Sequence, residues 1–170
     1  DFDPLDMSKG GSLICLCGPS GTGKSHMMKF LLWLWVKKKK LFDYVFAFSG
    51  SAHSGDLTNV LPEANVSGFD LDKLQRFVKC AQNLSTKNKY GLLILDDIGF
   101  HLTVAASKKI GGLWTDFRHS KLTILFCSQY LTQVPPVVRI NTYCYITFTQ
   151  RGKKKAKLYL YESACLGDEK

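Results

Sequence analysis

The residues with the clearest chemical signature form a glycine-rich segment near the start of the chain. This segment reads Gly18, Pro19, Ser20, Gly21, Thr22, Gly23, Lys24, Ser25, with His26 directly after it. An apolar run, Ser12–Cys17, precedes it, and a helix-like segment, Lys24–Val36, follows. In that context the backbone N–H groups of the loop and the N-terminus of the helix attract phosphate oxygens. The segment predicts that residues 18–26 bind a nucleoside triphosphate.

Two side chains of this loop have distinct expected roles. Lys24 would reach the β- and γ-phosphates as a point charge, and the Ser25 hydroxyl would be a ligand of Mg²⁺. A chance match to a glycine-rich turn is the alternative. The strand and helix that flank the loop argue against it.

A second apolar run, Gly91–Asp97, ends in two adjacent carboxylates. This pattern is typical of a buried parallel strand, whose carboxyl end is where such sheets place their sites. Two neighbouring acids are costly to bury unless a cation compensates them. We expect Asp96 to hold Mg²⁺, directly or through water, and Asp97 to orient the attacking water or accept a proton from it. The alternative is a strand-end turn with solvated acids.

A polar amide follows another apolar run, Lys121–Cys127. Gln129 at the end of a strand beside the acidic one could touch the γ-phosphate or its water. An ordinary strand-end cap is the structural alternative.

The remaining segments alternate between strand-like and helix-like patterns. We predict strands at Asp43–Ser49 and Asn141–Phe148, helices at Leu71–Leu84 and Thr103–Phe117, a long loop at Gly50–Gly68, a break at Pro135-Pro136, and an antiparallel edge strand at Lys157–Tyr161 after a turn at Gln150–Lys155.

Length and composition indicate one globular domain over residues 1–170, from which flanking segments could be missing because the chain starts at Asp1. The longest apolar run, Phe30–Val36, is too short to span a bilayer, and the first residues do not resemble a signal peptide.

None of the six cysteines has zinc-site spacing, and four lie in strand-like runs, which favours a reduced, intracellular setting.

The formal net charge of +9 favours polyanionic partners such as nucleic acid, although solubility alone could account for it. Four consecutive lysines, Lys37–Lys40, follow the first helix. We interpret them as a solvated helix end that complements the helix dipole, with a DNA contact as the alternative.

Three further motifs make the pattern narrower: Arg118-His119 before the Gln129 strand, Ser128-Gln129 at its end, and Pro135-Pro136 followed by Arg139-Ile140-Asn141. Together with the glycine-rich loop and the paired acids, these residues resemble the viral genome-packaging ATPases of the poxvirus type, within the FtsK–HerA superfamily of P-loop ATPases. The resemblance spans roughly residues 10–148.

The resemblance implies an α/β P-loop NTPase fold, a three-layer sandwich with a mainly parallel sheet and an antiparallel C-terminal edge strand. It also implies an extra strand between the loop-bearing and acid-tipped strands. The implied activity is ATP hydrolysis by a homo-oligomeric ring, pentameric or hexameric, that moves double-stranded DNA into a capsid inside an infected cell. A capsid or portal component would be a further partner, and no membrane is implied.

The same resemblance assigns roles to two arginines. Arg118 occupies the position of an arginine that acts across the subunit interface, and Arg139 is a second candidate. A salt bridge or a DNA phosphate contact is the alternative for both. Many relatives have Glu where this chain has Asp97, so the identity of the general base stays open at this point.

Two other functions are consistent with the motifs. One is a different P-loop nucleic-acid motor, such as a helicase or helicase loader. The other is a small-molecule kinase, which is disfavoured because Gly50–Gly68 contains no arginine for a kinase lid.

Overall fold

A computed structural model describes residues 11–50, 55–99, 101–102, 106 and 109–148. These residues form a six-stranded sheet in the order β3-β2-β4-β5-β1-β6, and each pair of neighbouring strands is parallel. The strands are β1 (Leu13–Cys17), β2 (Tyr44–Ser49), β3 (Val66–Gly68), β4 (Gly91–Asp96), β5 (Leu122–Ser128) and β6 (Cys144–Thr147).

Helices cover both faces of the sheet, which confirms the predicted α/β three-layer arrangement. The helices of the described residues are α1 (Lys24–Leu32), α2 (Gly55–Thr58), α3 (Leu71–Ser85), α4 (Gly111–Asp116) and α5 (Pro136–Asn141). A π-helical segment, Trp33–Lys38, continues α1, and short 3₁₀ turns lie at Glu63–Asn65 and Leu131–Gln133.

The central strands are buried along nearly their whole length because helices pack on both sides of them. Every residue of β1 and β5 is buried, as is β4 up to Leu95. One face packs against α3, α4 and α5, with Trp114 and Phe126 in edge-to-face contact. The other face packs against α1 and its π-helical extension, where Trp35 is buried. Continuous apolar runs are the expected sequence signature of such strands.

The predicted extra strand is confirmed, since β5 lies between β1, which leads into the glycine-rich loop, and the acid-tipped β4. The predicted antiparallel strand at Lys157–Tyr161 and the turn at Gln150–Lys155 lie outside the described residues. Within the described residues, the edge next to β1 is formed by β6, which pairs in parallel.

Two predicted segments were wrong in part. Gly50–Gly68 is not a plain loop, because β3 pairs with β2 and a helical turn, α2, precedes it. Pro135-Pro136 does not only break the chain, since Pro136 begins α5. Proline is well tolerated at the first helical position, where its missing N–H would have no partner. As a result, Asn141 ends a helix, and the predicted strand Asn141–Phe148 is limited to Cys144–Thr147.

The Thr103–Phe117 helix is described only in part, with α4 as its regular segment. In the described residues, no helix combines the length and apolar character needed to cross a membrane.

We predict that Leu125→Ala strongly destabilises the fold. Leu125 is fully buried in the central strand β5, on the α1 side of the sheet. Removal of its side chain should lower the free energy of unfolding by about 2–5 kcal/mol, measured by urea denaturation. Ile140→Ala is the control, because Ile140 is 83% exposed, and it should change stability by less than about 0.5 kcal/mol. Equal losses in the two variants would contradict the central position of β5.

Candidate nucleotide-binding site

The glycine-rich loop connects β1 to α1 and folds into a tight curve. Gly21 and Gly23 have φ angles of 77° and 96°, a region that side chains with a Cβ rarely adopt. The Thr22 hydroxyl donates a hydrogen bond to the Pro19 carbonyl at 2.8 Å, which holds the turn closed. The Gly18 N–H donates to the Ser128 carbonyl at 3.1 Å, so the loop starts directly beside the end of β5.

The N-terminus of α1 is well suited to an anion. Gly23 is the N-cap, and no side chain of the described residues caps the helix there. The first turn contains Lys24, Ser25 and His26 and no acidic residue. The first N–H groups of a helix have no partner within the helix, and the helix dipole adds partial positive charge. The N-terminus of α1 therefore offers hydrogen-bond donors and a positive electrostatic potential to a phosphate group.

The predicted residues of the loop, β4 and β5 meet around one cavity of about 310 Å³. The residues that line it are Pro19, Ser20, Gly21, Gly23, Lys24, Ser25, His26, Asp96, Asp97 and Gln129. Of the predicted loop residues, Gly18 and Thr22 do not line the cavity but shape the loop behind it.

Asp97 is held in an unusual backbone conformation at the end of β4. Its φ is 53°, in the left-handed region, which Asp tolerates better than most residues with a side chain. Its N–H donates to the Cys127 carbonyl at 3.0 Å, and Gly50 N–H donates to the Asp96 carbonyl at 2.8 Å. The ends of β2, β4 and β5 are thus joined by backbone hydrogen bonds that position the second carboxylate.

Asp97 also contacts the predicted amide directly. Gln129 Nε2 donates to Asp97 Oδ2 at 2.8 Å. Below this pair, the buried Ser128 hydroxyl donates to the Tyr130 carbonyl at 2.9 Å, which fixes the turn that follows Gln129. The carboxylate and the amide therefore form one unit, able to orient a water molecule between them and a phosphate.

The charged residues of the cavity change the pKa values of two nearby thiols, Cys127 and Cys17. Burial raises the pKa of Cys127 well above its usual value; Asp96 and, more weakly, Asp97 raise it further, while Lys24 acts against them. Burial also raises the pKa of Cys17 to about 11, again opposed by the positive charge of Lys24. Both thiols stay protonated near neutral pH. Lys24 and the two carboxylates line the cavity next to these thiols.

Two residues that support the site were not identified from the sequence. A Cβ on Gly50 would lie 2.3 Å from the Asp97 carbonyl oxygen, so only glycine fits there. Phe148, after β6, packs against the loop, because a Cβ on Gly18 would lie 2.7 Å from the Phe148 Cβ. Neither Gly50 nor Phe148 belongs to a recognisable sequence motif. The position of Gly50 at the end of a predicted strand is the one sequence signal that could have found it.

The two predicted arginines lie away from this cavity. Arg118 is exposed and precedes β5, so the length of that strand, about 20 Å, separates it from the cavity of its own chain. Arg139, on α5, lines a separate cavity of about 680 Å³ with Gly99, Leu102 and Val134–Val137. Within one chain, neither arginine is brought to the glycine-rich loop.

The oxygen atoms at the cavity are suitable ligands for a hard cation that also binds phosphate. Ser25 and Asp96 both line it and offer oxygen ligands, which Mg²⁺ prefers. The described residues contain no group of three or more His, Cys, Asp or Glu that could hold a metal without a substrate. One carboxylate and one hydroxyl are the protein ligands expected when phosphates and water complete the shell.

The parallel sheet with β5 inserted between β1 and β4, together with the glycine-rich loop at the start of α1, is the fold of the P-loop NTPases. No protein-family model matches the sequence. The chain is 28% identical over 157 residues to Uncharacterized protein 075L of Invertebrate iridescent virus 6, and the match covers 89% of this chain and 60% of that protein. The chain spans about half the length of the curated relatives it matches.

Solved structures agree with this fold. The genome packaging NTPase B204 of Sulfolobus turreted icosahedral virus 2, in complex with AMPPCP, superposes with a TM-score of 0.68 at 17% identity, covering 99% of this chain and 90% of that one. EssC (ATPases 2 and 3) of Geobacillus thermodenitrificans gives a TM-score of 0.67 at 15% identity, over 89% of this chain and 34% of that one. At these identities the likeness establishes the fold.

We predict that Gly50→Ala destabilises the protein by separating the ends of β2 and β4. The added Cβ would overlap the Asp97 carbonyl, and relief of the overlap should cost about 1–3 kcal/mol in the free energy of unfolding. Gly111→Ala is the matched control: a Cβ there would meet no described atom within 4 Å, and alanine favours helix α4. A Gly50→Ala variant as stable as the control, by urea denaturation, would contradict the close approach.

Proposed function

We propose that this chain is the ATPase domain of a ring-forming motor that moves double-stranded DNA into a viral capsid, a packaging ATPase of the poxvirus type. The observation that carries the proposal is the cavity in which Lys24, Asp96, Asp97 and Gln129 meet at the ends of β1, β4 and β5. The likeness to a genome packaging NTPase and to a viral relative supports the choice among P-loop motors.

In the proposed reaction, the triphosphate of ATP lies along the loop, with its β- and γ-phosphates beside Lys24. Asp97 and Gln129 orient a water molecule, whose oxygen attacks the γ-phosphorus as the bond to the β-phosphate oxygen breaks. Asp97 Oδ accepts the proton of the water, and ADP and inorganic phosphate leave. Lys24 and the N–H groups of α1 stabilise the charge of the transferred group.

Ser25 and Asp96 are the residues that would hold Mg²⁺, which neutralises charge on the β- and γ-phosphate oxygens when bound. The 2.8 Å bond from Gln129 to Asp97 occupies one carboxylate oxygen and leaves the other for water. Asp97 is therefore our candidate for the general base, although its side chain is one methylene shorter than glutamate.

The ring is proposed because Arg118 lies at the opposite edge of the sheet from the cavity of its own chain. It could reach a phosphate only in a neighbouring subunit, where it would stabilise the transferred phosphoryl group. A pentamer or hexamer, working in an infected cell with a capsid or portal component, is the assembly that we propose.

Duplex-stimulated ATP hydrolysis is the first test. We expect phosphate release to increase several-fold with double-stranded DNA. Lys24→Ala should lower turnover by about 10²–10³, because it removes one electrostatic contact to the transition state. Stimulation by single strands alone would favour a helicase or helicase loader, and transfer to small acceptors would favour a kinase. Unchanged turnover in Lys24→Ala would contradict the site.

Complementation between subunits is the second test. We expect Arg118→Ala to lower turnover by about 10³–10⁵ while ATP affinity stays near that of the parent chain, since the arginine acts only on the transition state. Asp97→Asn should also be inactive. A mixture of the two variants should recover part of the activity at interfaces that join an intact arginine to an intact carboxylate. A mixture as inactive as each variant alone would contradict the interfacial role.

A further inference from the structure

The edge of the sheet opposite the nucleotide cavity is strongly basic. The segments that lead into β2, β4 and β5 are residues 37–43, 85–90 and 116–121, and together they contain eight lysines or arginines and two acids. Because β2, β4 and β5 are adjacent in the sheet, these segments lie side by side. The starts of β2 and β5 are two strand spacings apart, about 10 Å, so the segments form one continuous surface, which we call the basic edge.

Backbone and side-chain contacts tie the three segments of the basic edge together. Asp43 accepts from the Tyr90 N–H at 2.8 Å and pairs with Lys89 at 2.7 Å. Lys121 Nζ donates to the Asn88 side chain and lies 5.2 Å from the centre of the Tyr90 ring. The surface is therefore built into the fold rather than formed by independent loops.

Most of the positive charge on this surface is not neutralised. Asp43 compensates Lys89, but no ion pair or hydrogen bond within the described residues reaches the side chains of Lys37, Lys39, Lys40 or Lys87. All four of these lysines are exposed. Their charges can therefore interact with a partner.

Helix ends shape the backbone of this edge. Four non-glycine residues have positive φ in the described residues, and three of them lie here: Lys40 (51°), Asn88 (59°) and Lys121 (50°). At Asn88 and Lys121 the left-handed residue closes a helix C-terminus, because Lys89 N–H donates to the Leu84 carbonyl at 3.1 Å and Leu122 N–H donates to the Phe117 carbonyl at 2.9 Å. The charged segments therefore follow helix ends that backbone hydrogen bonds hold in place.

Helix dipoles explain only part of the charge. The helix dipole stabilises a lysine in the last turn of a helix, and the effect falls off within that turn. Lys37 and Lys38 end the π-helical segment, but Lys40, Lys89 and Lys121 lie beyond the helix ends. Favourable interaction with a helix dipole, our interpretation of Lys37–Lys40, therefore does not explain the positive charge of the whole basic edge.

We infer that two segments of the basic edge, those before β2 and β4, bind the phosphate backbone of double-stranded DNA. The inference rests on the proposed motor function and assigns a surface to its polymer substrate. Duplex DNA carries one negative charge per about 1.7 Å of its axis, and binding releases counterions in proportion to the phosphates neutralised. The lysines before β2 and β4 bind these phosphates. Arg118, just before β5, instead contacts the nucleotide of the neighbouring subunit.

The test compares two double variants that remove the same amount of charge. Lys37→Gln/Lys87→Gln removes one exposed lysine from each of two segments of the basic edge. Lys79→Gln/Lys109→Gln removes two exposed lysines from α3 and from the segment before α4, outside this surface. Affinity of the whole chain for a labelled blunt duplex is measured by fluorescence anisotropy over a series of salt concentrations.

We expect the basic-edge variant to bind the duplex several-fold more weakly. The slope of log K against log salt should fall by about 2, close to 0.9 for each phosphate that is no longer neutralised. The control variant should keep the parental slope. Equal weakening in the two variants would overturn the basic edge as the binding surface but leave the motor function intact. A parent chain that binds no duplex would overturn the motor function itself.

Vesicles of anionic and of neutral lipid provide a second comparison, because exposed Phe30 and Trp33 lie on α1 and its extension, and Lys38 lies over the Trp33 ring. If the basic-edge substitutions weaken binding to anionic vesicles and leave duplex affinity unchanged, the surface recognises a membrane and the inference is wrong.

Discussion

The register of β5 between its two neighbours is the constraint on which the site depends. Cys17 at the end of β1 pairs with Ser128, and Asp96 at the end of β4 pairs with Cys127. The loop, the carboxylates and Gln129 therefore emerge at one level of the sheet. A slip of β5 by one residue would move Gln129 by about 3.3 Å and turn its buried side chains to the wrong face.

Burial on both faces is what makes this register specific. The seven residues of β5 are all buried, and the two sides of the strand contribute to different hydrophobic clusters. The buried polar side chains of β5 lie near its two ends, because backbone partners there can satisfy them. The Asp97 N–H on the Cys127 carbonyl and the Ser128 hydroxyl on the Tyr130 carbonyl are hydrogen bonds to such partners. The change from apolar core to polar site thus occurs within two residues.

The sequence predicted most of the central sheet and all ten residues that line the cavity, because each sat in a local pattern: a glycine-rich loop, or a polar residue after an apolar run. Segments governed by distant contacts were predicted less well. β3 has only three residues and exists through pairing with β2, so no periodicity marks it. Gly50 and Phe148 matter because they approach backbone from elsewhere in the chain, and such proximity leaves no local pattern. Pro136 was misinterpreted because proline can either end or begin a helix.

The parallel topology also separates two kinds of charge. Each crossover helix that links two parallel strands runs from the carboxyl edge of the sheet to its amino edge. Helix N-termini therefore gather near the nucleotide cavity and helix C-termini near the basic edge, and the dipoles favour anions at the first edge and cations at the second. Between them lie strands of about 20 Å in a close-packed core, which transmits displacement instead of absorbing it. If duplex DNA binds at the basic edge, a change at the Asp97–Gln129 pair must act on it by moving the sheet as a unit. In the proposed ring, that requirement favours rigid-body rotation of subunits over a rearrangement within one domain.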